Sequence, residues 1–283
     1  MKIDYPIIDI HTHLREYPTL ELRLKNPKNI WNVMGREAYF GRVNTFLYMA
    51  NTEPPLDNLE IIKKSLEIPR YKGVKAIPVS AITKKLEGKE PVEIDSIRPY
   101  VAGFSDDGKC LNNLDILKYI LSKNVLVLVH LEPEVEMLEK YLDVYSKTGG
   151  HLHFQHISRK ESVDLIRLAK KDGLKITCET CPQYFYFTFR DMDLIMNPPL
   201  GDAEDLNTII EGLRDDTIDV IASDHAPHDD PLKNGLRGLR ILVPLSSGLV
   251  LKGFLDENKL RQKLFINPKK IIESGGYKLN LGL

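Results

Sequence analysis

Eight histidines fall in four places along the chain: His11 and His13 in HTH, His130, the segment HLHFQHIS at 151–158, and DHAPH at 224–228. In an extended chain residues i and i+2 share a face, so His11 and His13 present two imidazoles side by side. Two neutral imidazoles make half of a site for zinc or a similar borderline metal, although an isolated HxH also occurs as a hydrogen-bonded core pair. His130 ends the apolar run VLVLV, and His156 ends the run begun at His151. Asp224 closes IDVIAS, where a carboxylate at a buried strand end is costly unless it is paired, hydrogen-bonded or bound to a metal. Asp106 and Asp107 stand in GFSDDG. Two acids before a glycine often only shape a turn, but their place between the first histidine pair and His130 lets one of them reach a shared ion. A metal held by such a set acidifies water to a pKa of about 7, the basis of metal-assisted hydrolysis.

Residues from positions 11 to 224 must be brought together, and the pattern between them shows how. Strand-like runs cover Ile7–His13, Val43–Ala50, Val74–Ser80, Tyr100–Phe104, Val125–His130, His151–His156, Leu174–Glu179 and Thr217–Ser223. NVLVLVH and IDVIAS are nearly continuous in Val, Ile and Leu, as in parallel strands buried on both faces. Amphipathic stretches such as DNLEIIKKSLE, NNLDILKYILSK, EVEMLEKYLDVYSK and RKESVDLIRLAKKDG lie between them. The last of these predicts a capping box of Ser158 with Glu161 and an end at Gly173. Eight strands alternating with helices predict an α/β fold, a (β/α)8 TIM-like barrel in one domain over 1–283, with each histidine cluster at the C-terminal rim where barrel enzymes build their sites. An open doubly wound sheet is the rival, but no GxGxxG follows the first strand.

Composition narrows the function further. The 283 residues are 42% hydrophobic and 28% charged, and 39 basic against 40 acidic residues give a net charge of −1, which argues against a nucleic-acid partner. Three cysteines cannot build a disulfide framework and fit reduced thiols in the cytoplasm. The N-terminus carries charges and histidines where a signal peptide needs an apolar stretch. The longest uncharged run, Ile241 to Leu251, is too short to span a bilayer, so no membrane association is expected. Cys178 and Cys181 form a lone CxxC with no second pair, read as structural.

With these residues in view, the chain resembles dihydroorotases of the amidohydrolase superfamily, class I type. The segments that carry the resemblance are DIHTHLR, MANTEPP, AITKKLEGKE, GFSDDG, HISRKES, MNPPL and IASDHAPH, in that order. The resemblance implies a zinc enzyme, with one or two ions, that interconverts (S)-dihydroorotate and N-carbamoyl-L-aspartate in pyrimidine synthesis. It implies His11 and His13 as ligands of a first zinc, His130 and His156 of a second, and Asp107 as the bridge where related enzymes use a carboxylated lysine. Asp224 would be both ligand and catalytic acid/base. Arg15, Asn51, Asn197 and His228 would hold the substrate, with His13 beside them, and Arg15 offers a planar fork for its carboxylate. Partners implied are the small-molecule substrate and either a second copy or another enzyme of the pathway.

Departures from the family pattern are specific. Ten residues precede His11 and fifteen follow Pro268, so a bare barrel without most or all of the accessory β-sandwich of relatives is expected. Gln183 and Tyr184 in CETCPQYF stand where many relatives have a histidine pair, and Asn234–Gly235 replaces a substrate-contacting pair. The alternatives are a hydantoinase- or allantoinase-like cyclic amidase, or a dihydroorotase-like subunit without catalysis. GFSDDG in place of a lysine and the Arg15–Asn51 pair speak against the first; retention of all six ligand residues speaks against the second.

Overall fold

The computed structural model describes residues 3–14, 27–67, 71–192, 195–227 and 235–280. Its strands are β1 (Ile8–Thr12), β2 (Thr45–Tyr48), β3 (Lys75–Pro78), β4 (Leu126–Val129), β5 (His151–Phe154), β6 (Thr177–Thr180) and β7 (Val220–Ile221). All neighbouring strands pair in parallel, in the orders β1-β2-β3 and β4-β5-β6-β7. Residues 102–104 join the two halves. Ala102 N–H donates to Pro78 O at 2.9 Å, and Phe104 exchanges backbone hydrogen bonds with Leu126 O and Leu128 N, both 2.9 Å. The ring closes where Thr12 pairs in parallel with His225 and His13 N–H donates to His225 O at 2.7 Å. The molecule is a (β/α)8 barrel.

The predicted strand Tyr100–Phe104 is thus present as isolated bridges of Phe104 to Ser80 and Val127, not as a continuous strand. Gly103 explains the close fit, since a Cβ there would meet Leu128 Cδ1 at 2.8 Å and Leu126 O at 2.9 Å. The eighth run contracts to Val220–Ile221 because the chain turns at Asp224, whose φ is +45.

Strand burial is nearly complete on both faces, as the apolar runs require. Ile8, Ile10, Leu47, Met49, Ile77, Val79, Leu126, Leu128, Val220 and Ala222 form one cluster, drawn from the strands and filling the barrel. Ile271 and Ile272 of the C-terminal helix Asn267–Ser274 close it from one end. The opposite strand faces pack on helices that include α1 (Pro27–Phe40), α2 (Leu59–Leu66), α3 (Leu114–Ser122), α4 (Glu134–Thr148), α5 (Lys160–Lys171), α6 (Ala203–Arg214) and α7 (Gly238–Leu251).

Asn58 and Asn113 cap α2 and α3, and Asp202 with Asp205 forms a capping box on α6. The box predicted for α5 does not form. Ser158 N–H and Oγ–H donate to Glu134, at 3.1 and 2.5 Å, and Arg159 occupies the cap position without a side-chain bond. A buried carboxylate at the start of α4 thus accepts the Ser158 N–H that the local sequence assigned to Glu161. Among the described residues no helix is long and apolar enough to cross a membrane.

Candidate metal centre

The β1–β2 register shifts between Asp9 and Thr12, an irregularity of the kind that re-aims side chains at barrel rims. His11 and His13 follow it, fully or almost fully buried, with their Nε2 atoms 3.2 Å apart. Each is held by its other nitrogen. His11 Nδ1 lies 2.5 Å from Glu179 Oε1, and His13 Nδ1 lies 2.9 Å from Asn51 Oδ1. With a carboxylate and an amide oxygen as partners, both histidines have an acceptor at Nδ1 and turn Nε2 inward.

Of the two adjacent acids, Asp107 faces this point and Asp106 does not. Asp107 Oδ2 lies 2.5 Å from His11 Nε2 and 3.5 Å from His13 Nε2, and its Oδ1 lies 3.6 Å from His130 Nδ1. Asp106 accepts instead from Ile82 N–H, Thr83 N–H and Thr83 Oγ–H. His130, after β4, meets His156 with Nδ1 and Nε2 2.7 Å apart. Asp224 Oδ1 stands 3.2 Å from His13 Nε2 and 3.5 Å from His11 Nε2. His156 and Asp224 both adopt left-handed backbone, φ +35 and +45, a conformation that costs non-glycine residues of order 1–3 kcal/mol and collects at functional sites.

The remaining sequence candidates divide. Asn197 lines the same cavity of about 130 Å³ as His13, Asp107, His130, His156 and Asp224, and its Nδ2 donates to Glu132 Oε2 at 3.1 Å. Asn51 sits behind His13, bonded to its Nδ1. Arg15, His228 and Asn234 lie outside the described residues. His151 begins β5 and so lies at the far end of the strand from His156. The histidines are therefore not all at the C-terminal rim, because HLHFQH is long enough to run from one end of the stave to the other. Cys178 and Cys181 are buried free thiols, and burial pushes Cys178 up to about 12, which makes them inert. Gln183 and Tyr184 are buried, and Tyr184 Oη–H donates to Pro198 O at 2.8 Å.

Three groups at the centre have no counterpart in the sequence reading. Glu179 bridges His11 and His153, the latter through Nε2 at 3.2 Å. Gln155 donates from Nε2 to Asp107 Oδ2 at 3.1 Å, and Glu132 Oε2 lies 3.4 Å from His130 Nε2. A carboxylate in the middle of the buried run ITCET was the available signal for Glu179.

The electrostatics ask for positive charge. Burial alone would lower the His11 pKa, yet the Asp107, Glu179 and Asp224 carboxylates hold it well above the usual imidazole value. Burial alone would raise Asp107 and Asp224, yet His11 and His13 hold Asp107 well below the carboxylate range and Asp224 at about 2. His156, by contrast, is pushed down to about 3 by burial and by His130, and its buried Nδ1 has no hydrogen-bond partner among the described residues. An Nε2 lone pair facing a carboxylate oxygen at 2.5 Å needs a proton or a cation between them. The donor sets His11–Asp107–His156 and His11–His13–Asp224, each with ligand atoms within 4.8 Å of one another, fit a divalent ion of the N/O-binding type.

The parallel barrel with a histidine–aspartate cluster at its stave ends defines a barrel with a candidate metal centre, and solved structures share that fold. The L-hydantoinase (dihydropyrimidinase) of Arthrobacter aurescens superposes with a TM-score of 0.78 at 19% identity, covering 94% of this chain and 70% of that one. A dihydroorotase from Campylobacter jejuni superposes with a TM-score of 0.72 at 18% identity, covering 95% and 83%. No family model matches the chain. Curated sequences are closer: the dihydroorotase of Lactococcus lactis is 32% identical across 94% of this chain and 72% of its own length, and that of Acetivibrio thermocellus is 31% identical with the same coverage. The chain belongs to the dihydroorotase family.

Proposed function

We propose that the protein is a zinc-dependent dihydroorotase of pyrimidine synthesis, opening the cyclic amide of (S)-dihydroorotate to N-carbamoyl-L-aspartate and closing it again. The observation that carries this reading is the convergence of His13, Asp107, His130, His156 and Asp224 on one cavity of a dihydroorotase-family barrel, with His11 directly behind them against Asp107. In it, His11, His13 and Asp224 would hold a first zinc and His130 and His156 a second, with Asp107 as the shared ligand. Bound zinc supplies Lewis acidity, polarising an amide carbonyl and bringing water to a pKa of about 7.

The chain's own groups do the rest. Asp224, whose Oδ1 stands 3.2 Å from His13 Nε2 in the wall of the cavity, accepts the proton of the attacking water at its carboxylate. The protonated form then returns that proton to the departing nitrogen. Asn197 meets the substrate from the cavity wall, and Arg15 with Asn51, His13 and His228 reads its carboxylate. That carboxylate, absent from hydantoin and allantoin, is what favours dihydroorotate over other cyclic amides. One domain over 1–283, a cytoplasmic setting for its unpaired cysteines, and association with a second copy or another pathway enzyme complete the reading.

The test is turnover of dihydroorotate, hydantoin and allantoin by one preparation whose zinc content is measured. Dihydroorotate turnover should rise with zinc content and exceed the other two. Preference for hydantoin or allantoin would make the protein a different cyclic amidase, and a zinc-replete protein with no turnover would make it a non-catalytic subunit.

A further inference from the structure

Glu179 is fully buried in β6 and joins two imidazoles: Oε1 to His11 Nδ1 at 2.5 Å and Oε2 to His153 Nε2 at 3.2 Å. His153 is itself pinned, with Nδ1 2.9 Å from Thr177 Oγ1, two residues before Glu179 on the same strand. A buried carboxylate is expensive unless its oxygens are occupied, and here each oxygen has one imidazole. The arrangement leaves His11 a single use for each nitrogen. Nδ1 is committed to Glu179, and Nε2 points at Asp107 Oδ2, His13 Nε2 and Asp224 Oδ1, at 2.5, 3.2 and 3.5 Å. A carboxylate behind a ligating histidine fixes its tautomer and ring orientation and makes the ligating nitrogen more basic, and loss of such a partner typically costs 10–100-fold in metal affinity.

We propose that Glu179 is a positioning residue that fixes His11 as the Nδ1-protonated, Nε2-ligating tautomer, and that His153 holds Glu179 in place by occupying its second oxygen. The proposal rests on reading the centre as a metal site. It adds a buried chain, Thr177–His153–Glu179–His11, running from the strand β6 that supplies no ligand across the barrel interior to β1. Asn51 serves His13 in the corresponding position behind the second imidazole, as a neutral acceptor. The two neighbouring ligands therefore differ in the charge that backs them.

Zinc affinity, measured by competition with a chromophoric chelator, tests this in the parent, Glu179→Gln and His153→Gln. Glu179→Gln should lose about 10–100-fold in zinc affinity with parent-like circular dichroism, and His153→Gln should lose less, in the same direction. A folded Glu179→Gln that binds zinc as tightly as the parent overturns the proposal, since a purely structural role would change stability and not the affinity of the folded protein. Should the variants fail to fold, ¹⁵N-histidine NMR of the zinc-loaded parent decides: a proton on His11 Nδ1 is required, and a deprotonated, ligating Nδ1 overturns the assignment. A parent that prefers hydantoin, with a Glu179→Gln variant weakened for zinc, would overturn the dihydroorotase reading and leave this one standing. A parent that turns over dihydroorotate, with an undiminished variant, would do the reverse.

Discussion

Asp106 and Asp107 are chemically identical neighbours with opposite orientations, and substitution should separate them. Asp106→Ala removes the acceptor of Ile82 N–H and Thr83 N–H. Two buried donors left unpaired cost about 2–4 kcal/mol at roughly 1–2 each, so denaturant melts should show lower stability with zinc content unchanged. Asp107→Ala should instead lose zinc by elemental analysis while melting closer to the parent apoprotein. Asp224→Asn keeps the shape of the side chain but removes the proton acceptor. Its turnover should fall on the order of 10²-fold or more, with a smaller change in substrate affinity; near-normal turnover would place the proton shuttle elsewhere. Sequence could bring the pair Asp106–Asp107 to the site but not orient it, because the choice depends on Thr83, which approaches from another stave end. Glu179 was hidden for a related reason: its partners lie 26 and 168 residues away, and no local pattern encodes them.

At the scale of elements, the order of strands and helices was legible because the buried runs and amphipathic stretches are long. The exceptions are instructive. Tyr100–Phe104 has the composition of a strand, yet it pairs through single bridges of Phe104, with Gly103 packed directly on Leu126 and Leu128. Ser158 and Glu161 have the spacing of a capping box, yet Glu134 from the preceding helix offers Ser158 a buried carboxylate. Both are tertiary overrides of local signals.

A third element-scale feature lies near β7, where Lys263 is completely buried and donates to Asp216 Oδ1 at 2.8 Å and Ile218 O at 2.6 Å, with Lys259 also on Asp216. Burial lowers the Lys263 pKa, and the two lysines hold the Asp216 carboxyl below its usual range despite partial burial. A depressed carboxyl contributes stability above the unfolded value of about 3.9 that is lost as pH falls through the folded value. Asp216→Asn should therefore destabilise the protein at neutral pH by about 1–2 kcal/mol, the lower part of the range for a bond to a charge because Asp216 is half exposed. The difference from the parent should shrink below pH 4. A constant difference from pH 7 to pH 3 would assign the effect to packing.

For the molecule as a whole, zinc should stabilise the folded state by mass action, about 2.7 kcal/mol at a free concentration 100 times the dissociation constant. Chelation should lower the melting temperature by several degrees and abolish turnover, with helix content at room temperature unchanged. Acidification should strip the ion as well, because His11, His13, His130 and His156 must be neutral at their ligating nitrogens to bind it. An apoprotein that melts with the loaded protein would mean that the folded state does not bind zinc more tightly than the unfolded chain.

The closure of the ring has a consequence for how the chain acquires its site. Ser223 N–H reaches Asp9 Oδ1 across 214 residues, and His13 N–H meets His225 O in the same seam. Contacts so distant in sequence form late, after the loop entropy between them has been overcome. During synthesis, His11 and His13 emerge well before the stave bearing Asp224. The centre is thus a record of completed folding: a nascent chain arrested before residue 224 carries five of the six ligand side chains and none of the closed seam that aligns them. Zinc taken up tightly by this protein reports that its last stave has docked against its first.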